Sequence, residues 1–375
     1  MFGSQEQPAD PRTDEGREKL SVVAAGAPLV RERLASISDV RVEWQELAPR
    51  SGNIFSTWEW AETWWRHFGG ARQLRLTACR TPGGTLLALL PLYSWRRRPL
   101  HVLRFVGHGP GDQLGPVAAA GDLPQAQRAL RAELAASGRH LFLGEHLPGD
   151  EDWENVLGGS PLSRTGAPVL RIGGRSWDDV LASRSANFRQ QIRRRERALA
   201  KAHEVRFRLT TDPAALTRDL DLLFSLHAER WRAGSDFGAA RSFHRDFAGQ
   251  ALENGWLRLW TVELDGAPAA AWYGFRFAGS ESYYQAGWRS HWARSSVASV
   301  LLVHTIREAC ADGMHEYRFL QGDEPYKYRF TEEDPGLVTV ACARGPLAQA
   351  ALLAGSQARR FAPARAALAG RLGPR

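Results

Sequence analysis

Three cysteines in 375 residues, Cys79, Cys310 and Cys342, are too few and too scattered for a disulfide framework or a cysteine-ligated metal site. No run of 18 apolar residues occurs, so no transmembrane helix is expected. The first 18 residues are polar, with Pro and Gly, and lack the apolar core of a signal peptide. Acids are scarce in two stretches: Gly345–Arg375 has five Arg and no acid, and Ser183–His203 has six Arg and one Lys against Glu196 alone. Together these stretches exceed the whole net charge of +8. The absences predict a cytoplasmic, metal-free protein. What is present is globular: 43% hydrophobic and 10% aromatic residues, in a length suited to two domains. The 14 Trp cluster at 44, 58, 60, 64 and 65 and again at 256, 260, 272, 288 and 292, which suggests two separate aromatic cores or clefts.

Residues 1–38 read as a disordered leader. A strand is expected over Val40–Glu46 and a helix over Thr57–Phe68, capped by Ser56 or Thr57 and ended by Gly69-Gly70. Strands Leu74–Cys79 and Leu86–Tyr93 flank the turn Thr81-Pro82-Gly83-Gly84. A strand at Val102–Val106, a helix at Pro124–Ala136 and a strand at His140–Leu143 complete a first half, 39–172. The second half, 173–345, repeats this grammar. It opens with a helical stretch, Ser176–His203, on which Arg189, Arg193, Arg197 and Lys201 form a basic stripe. Strand Val205–Leu209 and helices Ala214–Arg232 and Phe243–Glu253 follow. Strands Trp256–Leu264 and Ala269–Phe277 flank Asp265-Gly266, and strand Tyr283–Trp288, helix Val297–Ala311 and strands Glu316–Leu320 and Leu337–Ala343 complete the half. The fold class is α/β (α+β), with mixed, mostly antiparallel sheets flanked by helices. Residues 346–375 form an Ala/Arg-rich basic tail, a marginal helix that frays.

The segment Arg318–Phe330 is the most informative: an apolar strand end, Phe319-Leu320, stops at Gly322 and opens into Asp323-Glu324, Tyr326 and Lys327. With Phe55–Trp60, Leu89–Leu92, Arg104–Gly107, Leu226–Trp231, Gly255–Leu259, Tyr283–Gly287 and Arg294–Ala298, it resembles the CelD/BcsL family of GNAT (Gcn5-related N-acetyltransferase) proteins. The likeness runs from about Ser56 to Ala343. It implies tandem GNAT-like halves, similar in plan to Fem peptidyltransferases. It also implies acetyl-CoA or another acyl-CoA as co-substrate and an amine of a sugar or peptide precursor as acceptor, and the family is associated with cellulose and other exopolysaccharide synthesis. One departure stands out: Ala298 occupies a position where the family usually has Gly.

The resemblance carries donor binding to Tyr284, Gln285 and Gly287 on one strand and to Arg294, Ser296, Val297, Ala298 and Ser299 at a helix start, where backbone N–H groups meet a pyrophosphate. Aminolysis of a thioester needs a proton acceptor, an oxyanion donor and an acid for the thiolate. Asp323 or Glu324 could take the proton, Lys327 stabilise the oxyanion and Tyr326 protonate the thiolate; alternatively, the acids cap a short helix at Pro325 and Lys327 is solvated. Asp112, His227, Arg230 and Trp231 are acceptor-side candidates; their plain readings are a turn, a core histidine, a surface ion pair and core packing. The basic stripe suits an anionic acceptor or a solvated face, and no nucleic-acid-binding module accompanies it. A catalytically silent binding protein and a transferase using aminoacyl-tRNA remain alternative readings. A monomer or a dimer is expected.

Overall fold

In the computed structural model, which describes residues 29–97, 99–230 and 236–355, the alternating segments assemble into two sheets. The first half runs β1 (Val30–Arg33), α1 (Arg41–Ser51), α2 (Trp58–Phe68), β2 (Gln73–Arg80), β3 (Leu86–Arg97), β4 (Leu100–Phe105) and β5 (Val117–Ala118). It continues with α3 (Leu123–Ala136), β6 (His140–Pro148), α4 (Trp153–Leu157), β7 (Ser160–Thr165) and β8 (Val169–Arg171). The second half runs α5 (Trp177–Ala182), α6 (Ala186–Ala202), β9 (Val205–Leu209), α7 (Pro213–Arg230), α8 (Asp236–Ala239) and α9 (Arg241–Glu253). It ends with β10 (Leu257–Leu264), β11 (Ala267–Phe277), β12 (Ser280–Trp288), α10 (Val297–Ala311), β13 (Glu316–Arg318) and β14 (Leu337–Arg344).

Strand order is β1-β2-β3-β4-β6-β14-β7 in one sheet, with β5 on β3, and β8-β13-β12-β11-β10-β9 in the other. The halves therefore exchange strands. β14, from the end of the chain, lies between β6 and β7, whereas β8 pairs with β13. The boundary expected at residue 172 follows β8 directly, so each sheet needs chain from both sides of it. Each half also holds one short parallel pair: β4 with β6, and β12 with β13.

Several expected elements differ. Val40–Glu46 is helical, because Val40, Trp44, Leu47 and Ala48 bury one helical face and Gly52 ends the helix in a left-handed conformation (φ 65°). Residues 30–33, placed in a disordered leader, pair with β2; residues 1–28 lie outside the described residues. The stretch 176–203 divides into α5 and α6, because Ser185 accepts the Phe188 N–H and starts a second helix. A helix starts the basic tail at 346, and residues beyond 355 lie outside the described residues. Among the described residues no helix is long and apolar enough to cross a membrane.

The aromatic clusters fall largely in separate cores, Trp44, Trp58, Trp60 and Trp64 in one and Trp260 and Trp272 in another, but Trp256 packs on the first, and that core is shared by both halves. Trp60 is fully buried, with edge contacts to Phe243 at 4.9 Å and Phe247 at 4.6 Å and with Phe275 and Tyr284 further out, all from the other half. One core thus runs from α1 and α2 through α7 and α9 to the second sheet. Separate cores lie under α6 and α10 and under α3 and α4. Trp60→Ala should cost about 3–5 kcal/mol in denaturant unfolding. Both halves should still unfold in one transition, because the removed ring belongs to their shared core.

Candidate functional site

β12 and β13 pair only through Ser280–Glu316, Glu281–Tyr317 and Ser282–Arg318. Beyond these positions the strands part. On β12 the register against β11 slips at Tyr273/Gly274, leaving Tyr284 as the extra residue of a bulge. After β13 the chain turns away: Phe319 N–H donates to Pro168 and Gly322 N–H to Gly166. The turn needs positive φ at Leu320 (54°) and at Gly322 (128°); at Leu320 that is strain which only a well-fixed surround maintains. The wedge opens into a cavity of about 310 Å³ lined by Arg195, Arg230, Tyr283, Trp288, Ser296 and Tyr326.

The N-terminus of α10 faces this cavity. Its cap, Ser296, has φ 57° and its side chain makes no capping bond; its carbonyl takes the N–H groups of Ser299 and Val300. The N–H groups of Val297 and Ala298 take no backbone partner among the described residues, so they and the helix dipole favour an anion. Ala298 lies in the cavity wall. Arg195 on α6 donates to Ser299 Oγ at 3.4 Å. Burial lowers the Arg195 pKa, helped by the neighbouring Arg329 and Arg194 guanidiniums. Among the described residues no carboxylate pairs with Arg195 or Arg329, and Glu196 binds Arg307 instead. Like charges held near one another without a counterion favour an anion beside them. Sequence reasoning missed this Arg195–Arg329 corner, because the spacing drew attention to the stripe. Of the stripe, Arg193, Arg197 and Lys201 point to solvent, and Arg189 donates to the Arg184 carbonyl. The side chain of Arg294, and all of Trp231, lie outside the described residues.

The loop after Gly322 is arranged differently from expectation. Lys327 is 3% exposed and its ammonium donates to Leu320 O (3.3 Å), Gln321 O (2.7 Å) and Gly322 O (3.4 Å), 2.9 Å from Glu324 Oε2. These acceptors use all its donors, so Lys327 clamps the turn and directs no N–H at an oxyanion. Asp323 is turned away: Oδ1 accepts the Gly166 N–H at 2.6 Å, beside Tyr328, whose hydroxyl donates to Asp334 at 2.7 Å. Glu324, not Asp323, has its charge among Tyr326, Tyr283 and Asp112. The Tyr326 hydroxyl bonds that of Tyr283, which Arg230 also reaches. Burial first, and then Tyr283, raise the Tyr326 pKa well above its usual value, so the hydroxyl keeps its proton. Arg230 itself lies 4.1 Å over the Trp288 ring.

The other strand candidates divide. Tyr283 lines the cavity, whereas the Tyr284 hydroxyl points to the first half and donates to Pro110 O at 2.7 Å. Gln285 bonds His227, which burial holds at a pKa of about 4 and therefore neutral at pH 7. Gly287 lies directly against the α7 backbone at Leu226 and His227, where a Cβ has no room; its bareness serves packing.

Asp112 arrives from the first half. The loop 107–115 fills the gap where β4 and β6 diverge: Leu114 N–H donates to His146 O at 3.0 Å and the His146 Nδ1–H to Gly111 O at 3.1 Å. That tautomer leaves His146 Nε2 to accept from Gln321 Nε2 at 3.2 Å. His146 has φ 54°, like Leu320 opposite it. Asp112 accepts the Gln321 N–H, and burial raises its pKa to about 6 against the lowering effect of His146 and Lys327. It opens on a cleft of about 130 Å³ between the halves, which Arg171, Glu316, Arg318 and Leu320 also line. Two openings, one on the α10 side and one between the halves, therefore border the 320–327 turn, at Tyr326 and at Leu320.

Residues 186–328 match the family model of the acetyltransferase (GNAT) domain. The second half is thus similar to a GNAT domain. No curated protein matches the chain. Among solved structures, the C-terminal domain of a putative lysylphosphatidylglycerol synthetase from Agrobacterium fabrum superposes with TM-score 0.56 at 11% identity, over 86% of this chain and 97% of that one. FemX gives TM-score 0.55 at 12% identity, over 84% and 97%. A conserved protein of unknown function from Bacteroides thetaiotaomicron gives 0.52 at 12%, over 84% and 100%. At such identities the likeness is one of fold, and it spans both halves.

The raised Asp112 pKa has a sign that can be tested. Folding disfavours the carboxylate, so the stability contributed by its protonated form is intact below about pH 4 and lost as pH rises towards 6. Asp112→Asn should match the parent near pH 4 and exceed it by on the order of 2–3 kcal/mol at pH 8. Buried His227, His244 and His304 titrate in the opposite sense, from pH 6.5 downward, and cancel in the difference between the two proteins.

Proposed function

We propose that the chain is an acyltransferase that moves an acyl group from acyl-CoA, acetyl-CoA or a longer thioester, to the amine of a sugar or peptide precursor. One observation carries this reading: a strand wedge holding the Tyr283–Tyr326 pair lies beside the uncapped start of α10, with Arg195 and Arg329 at hand. The N–H groups of Val297 and Ala298 and the two guanidiniums suit a pyrophosphate, and the wedge suits the extended arm that follows it. The Ala298 methyl leaves this cradle open, so the departure from Gly is compatible with phosphate binding.

In this reading the donor lies along β12, with its thioester beside Tyr326 of the 320–327 turn. The acceptor nitrogen attacks the thioester carbonyl, the C–N bond forms and the C–S bond breaks. Tyr326 gives its proton to the departing thiolate, a role suited to a phenol that burial keeps protonated. Glu324, rather than Asp323, stands where it can restore that proton or take one from the attacking nitrogen. Lys327 keeps both in place by fixing three successive carbonyls.

Calorimetry with CoA, together with thioester consumption using acetyl-CoA and glucosamine, tests this. Arg195→Ala should weaken CoA binding about tenfold or more, as expected for loss of a charge-assisted bond. Ala298→Asp should weaken it further, by placing a carboxylate against the phosphates. Tyr326→Phe should bind CoA normally while turnover falls roughly 10²- to 10⁴-fold. If Ala298→Asp binds CoA as tightly as the parent, the donor does not sit at α10.

A further inference from the structure

The first half contains the same strand–helix–strand unit as the second, with β4 and β6 parallel over only Val102–Leu141 and Leu103–Phe142. Its wedge is filled by its own loop, held by the Leu114–His146 main-chain bond and the His146–Gly111 bond. The start of α3 has Asp122 at its cap and Pro124 in its first turn, so it offers an anion a carboxylate and one N–H fewer. This half therefore provides no donor site. Its filling loop instead reaches the second half, tied down by Tyr284 at Pro110 O and by Asn53 Nδ2 at Gln113 O (3.1 Å), and carries Asp112 to the 320–327 turn.

In the cleft around Asp112 the cations already have partners. Arg171 pairs with Glu316 and with Glu333 at 2.6 Å, Arg318 with Glu316 at 2.5 Å, and Lys327 with Glu324 at 2.9 Å. Asp112 and, at the exposed rim, Asp150 have no ion pair among the described residues. A carboxylate in a narrow, partly closed cleft, with every nearby cation engaged, favours a ligand that brings its own positive charge. The strained backbone at both His146 and Leu320 holds the two sides of this contact in fixed register.

We propose that Asp112 is the acceptor-binding and proton-accepting group of the reaction, supplied across the halves, and that the acceptor is a cationic primary amine entering through the interhalf cleft. The proposal rests on the acyl-transfer reading. Asp112 pairs with the acceptor's ammonium and takes one proton, leaving a neutral amine whose lone pair attacks the thioester carbon. The C–N bond forms and the C–S bond breaks. The nitrogen loses its second proton as the amide forms, and the thiolate gains one from Tyr326, so one proton is released overall. The groups facing Asp112 are His146 from β6, Tyr284 from β12, and Gln321, Glu324 and Lys327 from the turn, so its midpoint is set from three sides.

The probe is methylammonium chloride, added to protein carrying ¹³C-labelled aspartate carboxyls and followed by NMR across pH. One carboxyl should titrate near pH 6, be missing from Asp112→Asn, and move to lower pH as methylammonium is added, because a cation bound to the ionised form must favour that form. A midpoint indifferent to methylammonium overturns the proposal. At saturating acetyl-CoA, Asp112→Asn should slow reaction with methylamine on the order of 10²-fold. It should spare hydroxylamine, which is already unprotonated at neutral pH; equal loss with both nucleophiles gives Asp112 a structural role and also overturns the proposal. CoA titration of the same samples separates the two readings. Normal CoA binding with no methylammonium response sinks the Asp112 assignment alone, whereas absent CoA binding sinks the acyl-transfer reading.

Discussion

The site depends on Trp60 holding the two halves at a fixed distance. Its ring is enclosed by Phe55 on its own side and by Phe243, Phe247, Phe275 and Tyr284 on the other, in edge-on arrangements that leave little rotational freedom. Gly107, at φ 99°, runs so close that a Cβ would lie 3.2 Å from the Trp60 indole nitrogen. The loop bearing Asp112 therefore begins against the ring that fixes the interface. The exchange of β8 and β14 adds backbone pairing to the same junction, so sliding one half past the other would break a ladder as well as a core.

This rigidity allows the halves to differ in chemistry while sharing a plan. A helix start can favour a phosphate only if its N–H groups are uncovered and no acid stands beside them. The start of α10 meets both conditions and that of α3 meets neither. The filled first wedge turns an unused opening into a rigid arm, and the second wedge gains a carboxylate that its own sheet does not supply.

Strand and helix periodicity made most of this architecture legible. The helix Val297–Ala311 and the Asp265-Gly266 hairpin appear where the spacing places them, because their signals are local. What was hidden depends on distant partners. Val40–Glu46 reads as a strand until its helical face meets α2. β7 and β8 are short, polar or edge-like, and exist because β14 and β13 pair with them. Adjacent acids cannot be told apart from sequence: Asp323 is drawn to Gly166, 157 positions away, and Glu324 falls to the wedge by default. Arg195 is masked by the five other arginines of its stretch, and only the fold shows which one faces α10.

The turn at 320–327 explains why a buried lysine stands at such a site. Leu320 in a left-handed conformation and three carbonyls converging on one point would be costly alone, since each buried carbonyl needs a donor. The Lys327 ammonium satisfies all three and is itself neutralised by Glu324, so strain, charge and hydrogen bonding close on one another. Glycine suits the centre because Gly322 holds φ 128°, which side chains rarely adopt, and a Cβ there would also press on the Glu324 carboxylate. The clamp thereby fixes Glu324 on one side and, through the Gln321 N–H, Asp112 on the other. Removing the Lys327 charge would leave the shielded Glu324 Oε2 without its cation and three carbonyls without their donor at once. A loss of turnover in such a variant would therefore report the collapse of a preorganised turn, and the chemistry is better read from the groups that the turn presents.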